Sequence, residues 1–192
     1  QSLILILIAF TLGISEFLIV GILDDLSAQF NVSVAAVGYL VTIFALVYAV
    51  STPFITLLIG KHNLFWGLFG LMGIFTFGNI LSFISPNFTV FTISRIITAL
   101  VSGVAISIAL SFAGHIAPLP KRGWLLSWVF AGFSIASVLG VPLGTWISTN
   151  LGWRISFLTI IIISFITMGL ILASLPRDFK QQASSIMCQL AL

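Results

Sequence analysis

The chain has 192 residues, of which 60% are hydrophobic and 6% charged, and its formal net charge is +3. A mean hydropathy of +1.28 excludes a soluble domain, whose surface needs far more charge, and the scattered basic residues exclude nucleic acid as a partner. A single cysteine, Cys188, excludes an intrachain disulfide, and with histidines only at His62 and His115 no structural metal site is expected.

The first apolar stretch, about 3–23, is long enough to cross a bilayer core of ~30 Å. It has no basic leader region or small-residue cleavage site, so it reads as a retained span. Gln1 in place of an initiator methionine leads to the expectation of a few further residues upstream. This stretch carries Glu16, the only acid inside any span, and is followed by Asp24 and Asp25. The second stretch, about 35–59, contains Pro53 after Ser51 and Thr52. A kink is expected there, with the two hydroxyls covering freed backbone groups.

The third and fourth stretches, about 65–84 and 88–114, are separated only by Ser85, Pro86 and Asn87. The fourth holds Arg95 roughly two turns from its start. A guanidinium at that depth costs roughly 2.5–3.5 kcal/mol on insertion scales and therefore needs an anionic partner or a wet cavity. After Lys121 and Arg122 comes the fifth stretch, about 124–147, and after Arg154 the sixth, about 155–175. Residues 1–176 thus read as one six-span membrane domain, and 177–192 as a short cytoplasmic tail with Arg177 and Lys180. Alternating the connections places Lys61, Lys121, Arg122, Arg177 and Lys180 on one side and Arg154 on the other, which puts both termini in the cytoplasm. Trp66, Trp124, Trp146 and Trp153 fall near span ends, as an interfacial aromatic belt requires.

Glu16 and Arg95 each lie about 10 Å below the same interface, counted at the helical rise. Two lone opposite charges at matched depth point to a shared polar interior, where they are paired or wetted by a cavity. A static structural ion pair is the other reading. In the fifth stretch Gly132, Ala136, Gly140 and Gly144 recur every four residues, making a smooth stripe for close helix packing, and Pro142 should bend the helix beside it.

GISEFLIVGIL in the first span, SRIITALVSGVAISIA in the fourth, and GFSIASVLGVPLGTW followed by LGWR resemble the major facilitator superfamily, most closely its drug:proton antiporter and sugar-efflux branch. The resemblance implies an all-α membrane fold of six transmembrane helices as two inverted three-helix repeats, one half of a twelve-span transporter. It also implies proton-coupled efflux of a small molecule by alternating access. The proton gradient supplies the energy, no cofactor is involved, and the protein sits in the plasma or inner membrane. In that branch the glycine–proline motif, here Gly132, Gly140, Pro142 and Gly144, is associated with antiport. The arginine motif, here Arg95 and Gly103, and the acid matching Glu16 are associated with proton coupling. The family's cytoplasmic gating loop is reduced here to 60–64, so only Gly60 and Lys61 correspond. The working expectation is that Glu16 binds and releases a proton while Arg95 favours its ionised form, with Phe10, Phe17, Phe44 and Tyr48 offering apolar and aromatic surface to a substrate.

Two rival readings stand beside it. The six spans are a truncated or split half-transporter, inactive alone, whose partner is a missing second half or a second copy. Alternatively the chain is a membrane-embedded enzyme, which would need a nucleophile, base or metal set within the membrane; the sequence offers none, so a non-enzyme is expected.

Overall fold

The computed structural model describes residues 2–59 and 63–175. The described chain is helical: α1 (Ser2–Gly21), α2 (Leu23–Phe30), α3 (Val34–Ile59), α4 (Leu64–Ile84), α5 (Phe88–Ile116), a single 3-10 turn (Leu119–Lys121), α6 (Arg122–Leu151) and α7 (Trp153–Ser174). Six of these, all but α2 and the short turn, are long and apolar enough to cross a membrane.

The breaks between helices are made by polar caps rather than by long loops. The Asn63 and Asn87 side chains accept from the backbone N–H groups of Phe65 and Val90 and so start α4 and α5. Asn31 closes α2 in the left-handed conformation, with φ 52°. Gly152, with φ 91°, is the whole connection between α6 and α7. The spans therefore run closer together than the charge pattern suggests. Arg154 is a helical residue, and Asp24 and Asp25 sit in the first turn of α2, where carboxylates suit the helix dipole.

The packing has an internal exchange symmetry. Exchanging α1 with α5, α3 with α6, and α4 with α7 turns the α1–α6 contact into α5–α3 and the α4–α5 contact into α7–α1, while α4–α7 maps onto itself. The two triplets are inverted relative to each other: Ser2, at the start of α1, lies by Ile116 and Ala117, at the end of α5. At the opposite end Phe30 packs on Phe88 and Trp153. This is the arrangement of two inverted three-helix repeats.

The deepest packing lies among α1, α4, α5 and α7, where Phe65, Phe75, Phe91, Phe112 and Phe157 are fully buried. By contrast, α3 and α6 bury one narrow stripe each and expose most of their apolar circumference. On α6 the buried stripe runs through Gly132, Ala136, Gly140 and Gly144.

Two local expectations need correction. Trp153 is 6% exposed inside a cluster with Phe30, Phe91 and Phe157, so it is a core residue rather than one free to line an interface, whereas Trp66, Trp124 and Trp146 are exposed. Near Pro53, the Ser51 and Thr52 hydroxyls both donate to the carbonyl of Tyr48, not to that of Ala49, which the proline leaves without its N–H donor.

Candidate functional site

Three polar stripes converge at the middle of the bundle. On α1, Thr11 and Ser15 are four residues apart; on α4, Thr76, Asn79 and Ser82 recur every third residue; on α5, Ser94, Arg95, Thr98 and Ser102 share one face. All are buried. With no water in a bilayer core, such groups must satisfy one another, and most first bond back to a carbonyl of their own helix. Bonds that join helices include Ser82 with Ser94 at 2.7 Å and Thr11 with Thr167 at 3.4 Å.

Arg95 is the centre of this network. It is 2% exposed, its Nη2 donates to the main-chain oxygen of Ser15 at 2.9 Å, and its Nη1 donates to the Ser15 hydroxyl at 3.3 Å. The Ser15 hydroxyl donates onward to Oδ1 of Asn79 at 3.1 Å. The guanidinium lies between two rings, 5.0 Å from the centroid of Phe44 and 6.0 Å from that of Phe157. Such contacts stabilise a desolvated cation by about 2 kcal/mol. Its Nε has no hydrogen-bond partner among the described residues.

The structure brings Glu16 and Arg95 to one place but does not bond them to each other. Glu16 is within electrostatic reach of both Arg95 and the Tyr48 hydroxyl, while the hydrogen bonds of Arg95 go to Ser15. The carboxylate is half-buried and accepts no hydrogen bond among the described residues, while Phe10 and Phe17, seven residues apart, lie on a neighbouring face of α1 turned toward α6. The matched depth is therefore real, but the two groups differ: the cation is dry and clamped, the acid is accessible and uncommitted.

Of the aromatic candidates, Phe10, Phe17 and Tyr48 are half-buried and Phe44 is buried beneath the guanidinium. Phe44 stacks on Tyr48 at 6.3 Å, and Phe17 meets Phe133 edge-on at 5.7 Å.

The small-residue stripe of α6 lies against α1. An added Cβ would sit 2.8 Å from the Ile6 carbonyl oxygen at Gly132, 3.0 Å from the Phe17 Cβ at Gly140, and 2.8 Å from the Leu18 carbonyl oxygen at Gly144. On the α1 side Gly13 faces Ala136 in return, and Thr145 donates to the carbonyl of Gly21 at 2.9 Å. Pro142 is on the exposed side of α6. Gly103 plays a similar part in the symmetric contact, where Thr52 of α3 presses on its backbone. Gly60, Lys61 and His62 lie outside the described residues.

The residues that sequence reasoning missed are Ser15 and Asn79. Their signal was present as the two polar stripes on α1 and α4, read there as ordinary apolar spans. Among the described residues no group of three potential ligands could hold a metal ion.

Comparison with known proteins agrees with this geometry. The Major Facilitator Superfamily profile matches residues 5–186. The chain is 38% identical over 189 residues to the uncharacterized MFS-type transporter YbcL of Bacillus subtilis, covering 98% of this chain and 48% of that protein. It is 34% identical over 169 residues to the inner membrane transport protein YdhP of Escherichia coli, covering 88% of this chain and 43% of that protein. The chain thus spans about half the length of the curated relatives it matches. Among solved structures it resembles the proton:xylose symporter XylE, with a TM-score of 0.79 at 18% identity over 92% of this chain and 44% of that one. It also resembles a peptide transporter POT, with a TM-score of 0.79 at 14% identity over 99% of this chain and 42% of that one. At these identities the likeness is one of fold.

Proposed function

The chain belongs to the major facilitator superfamily, a family of transporters rather than enzymes, and on that premise we propose that it is the N-terminal half of a proton-coupled exporter of a small organic molecule. The observation that carries this reading is the accessible Glu16 carboxylate, left unbonded beside a buried cation whose hydrogen bonds are spent elsewhere. A carboxylate tied into a static ion pair would be unsuited to carrying a proton. One that feels a nearby fixed positive charge yet stays uncommitted can exchange it as access alternates between the two sides. Tyr48 of α3, within electrostatic reach of Glu16, and the half-buried Phe10 and Phe17 of α1 offer aromatic surface for the cargo.

The second six-helix body of the transporter would sit against the faces that α3 and α6 leave open. The drug:proton antiporter and sugar-efflux branch is the preferred placement, supported by the tight α1–α6 contact built on Gly132, Ala136, Gly140 and Gly144 with Pro142 beside it. Both termini are assigned to the cytoplasmic side of the cell membrane from the distribution of basic residues. The inner-membrane name of YdhP is consistent with that.

A second reading is favoured by one observation: exposed apolar residues cover α3 and α6. On that reading the six helices export nothing until joined by a second half, whether a separate chain or another copy.

The test is efflux of fluorescent organic solutes from cells expressing the chain, alone and together with a six-helix second half of a relative. Efflux that a protonophore abolishes, and that Glu16→Gln and Arg95→Ala both remove, is expected. Wild-type efflux from both variants would overturn the coupling role, and efflux only in the two-part system would establish the second reading.

A further inference from the structure

The hydrogen bonds around Arg95 run in one direction, and that direction gives a role to a residue on a third helix. Ser15 has one hydroxyl proton. Because its oxygen accepts from Arg95, that proton goes to Asn79. Asn79, fully buried on α4, must therefore present its oxygen to Ser15, and its Nδ2 donates to the Phe75 carbonyl of its own helix at 2.9 Å. The carbonyl is an acceptor only, so reversing the amide would set Oδ1 of Asn79 against the Phe75 oxygen, two acceptors face to face. The chain from Arg95 through Ser15 to Asn79 and the α4 backbone is thus fixed in polarity at every link.

Glu16 is the residue next to Ser15, and it is the only acid in the described spans. For a guanidinium freed from Ser15 that carboxylate is the one anionic acceptor in the described spans, already within electrostatic reach, and a bidentate pair is the arrangement such groups favour. We infer that Asn79 and Ser15 are positioning residues that hold the Arg95 guanidinium on the main chain of α1 and thereby keep the Glu16 carboxylate out of a salt bridge and available for exchange. The cation is near enough to act on the acid through its field, and the amide of α4 prevents it from capturing the acid outright. The consequence for transport rests on the reading of Glu16 given above, but the geometry can be scored without transport.

The measurement is labelling of Glu16 by a hydrophobic carbodiimide, followed by peptide mass spectrometry, on the full chain in detergent. Asn79→Leu and Ser15→Ala are compared with wild type, each also in an Arg95→Ala background. The wild-type Glu16 should be labelled, and each single variant should lower the labelling rate by about fivefold, the size of coupling usual within one hydrogen-bonded network. With Arg95 replaced by alanine, neither variant should have an effect, because no cation remains to capture the carboxylate. Dependence on Arg95 separates positioning from packing: a purely structural loss at Asn79 would lower thermal stability in both backgrounds without this pattern. Ser15→Ala removes a single oxygen and serves where Asn79→Leu fails to fold. An unlabelled wild-type Glu16, unchanged labelling in both single variants, or an equal change with and without Arg95 would each overturn the inference. Efflux scores the transport reading separately, so a chain that keeps this labelling pattern but exports nothing, alone or with a second half, contradicts that reading and leaves this one standing.

Discussion

Nη2 of Arg95 donates to the main-chain oxygen of Ser15 at 2.9 Å, so a buried side chain of one repeat is bonded to the backbone of the other. A backbone oxygen cannot be removed by substitution at Ser15, and it has a lone pair to spare beyond its own helical bond. The contact therefore depends on the shape of the cation. Arginine reaches this oxygen and the Ser15 hydroxyl with two prongs, whereas lysine offers a compact point charge.

Arg95→Lys is expected to lower stability by about 1–3 kcal/mol, the cost of a buried charge short of its partners. Arg95→Met, which removes the charge and keeps most of the volume, should be no less stable than Arg95→Lys. Thermal unfolding in detergent orders the two; a lysine variant as stable as wild type would show that the fork geometry is irrelevant.

The glycine stripe of α6 makes a contrasting pair. Gly144→Leu drives a side chain into the Leu18 carbonyl region of α1, where even a Cβ would be at 2.8 Å, and should cost about 1–3 kcal/mol or more. Pro142→Ala, on the exposed side of the same turn, should cause no loss of stability, since a helix-interior proline gives up a hydrogen bond. Parallel melting curves decide between a packed stripe and a mere sequence motif.

The tryptophans separate likewise. Trp153→Ala empties a place among Phe30, Phe91 and Phe157 and should cost about 3–5 kcal/mol. Trp146→Ala, at 61% exposure, should stay within about 0.5 kcal/mol in detergent. Equal losses would contradict the placement of Trp153 in the core.

At the end of the bundle where α2 lies, the Ser148 hydroxyl donates to Asp25 and ties α2 to α6. A double-mutant cycle with Asp25→Ala and Ser148→Ala should give a coupling of about 1–3 kcal/mol, as for a hydrogen bond to a charged group. Additive effects would mean that the contact contributes nothing.

The six spans and their order were legible because each is an uncharged run of membrane length, and the depth of Glu16 and Arg95 was legible from the helical rise alone. The small-residue stripe of Gly132, Ala136, Gly140 and Gly144 was legible as a packing face, but its partner was not. That Gly13 and Gly21 of α1 face it depends on which helices touch, and hydropathy in a membrane chain is nearly uniform around each helix. The same uniformity hid the acceptors of Arg95: a charge suggests an opposite charge, whereas the oxygens used both belong to Ser15, and the closer one is its backbone oxygen, which any residue would supply. The α2 helix was missed because Asp24 and Asp25 read as a break, although acids are common in a first helical turn.

The most direct measurement on Glu16 is pH-jump infrared difference spectroscopy of the chain in lipid, read at the carbonyl stretch of a protonated carboxyl group. The sequence holds only 4 acidic residues, so each can be assigned by substitution. The expected result is a membrane-buried carboxyl band that disappears in Glu16→Gln and persists in Asp24→Asn and Asp25→Asn. A band indifferent to Glu16→Gln would contradict the claim that Glu16 takes up and releases the proton.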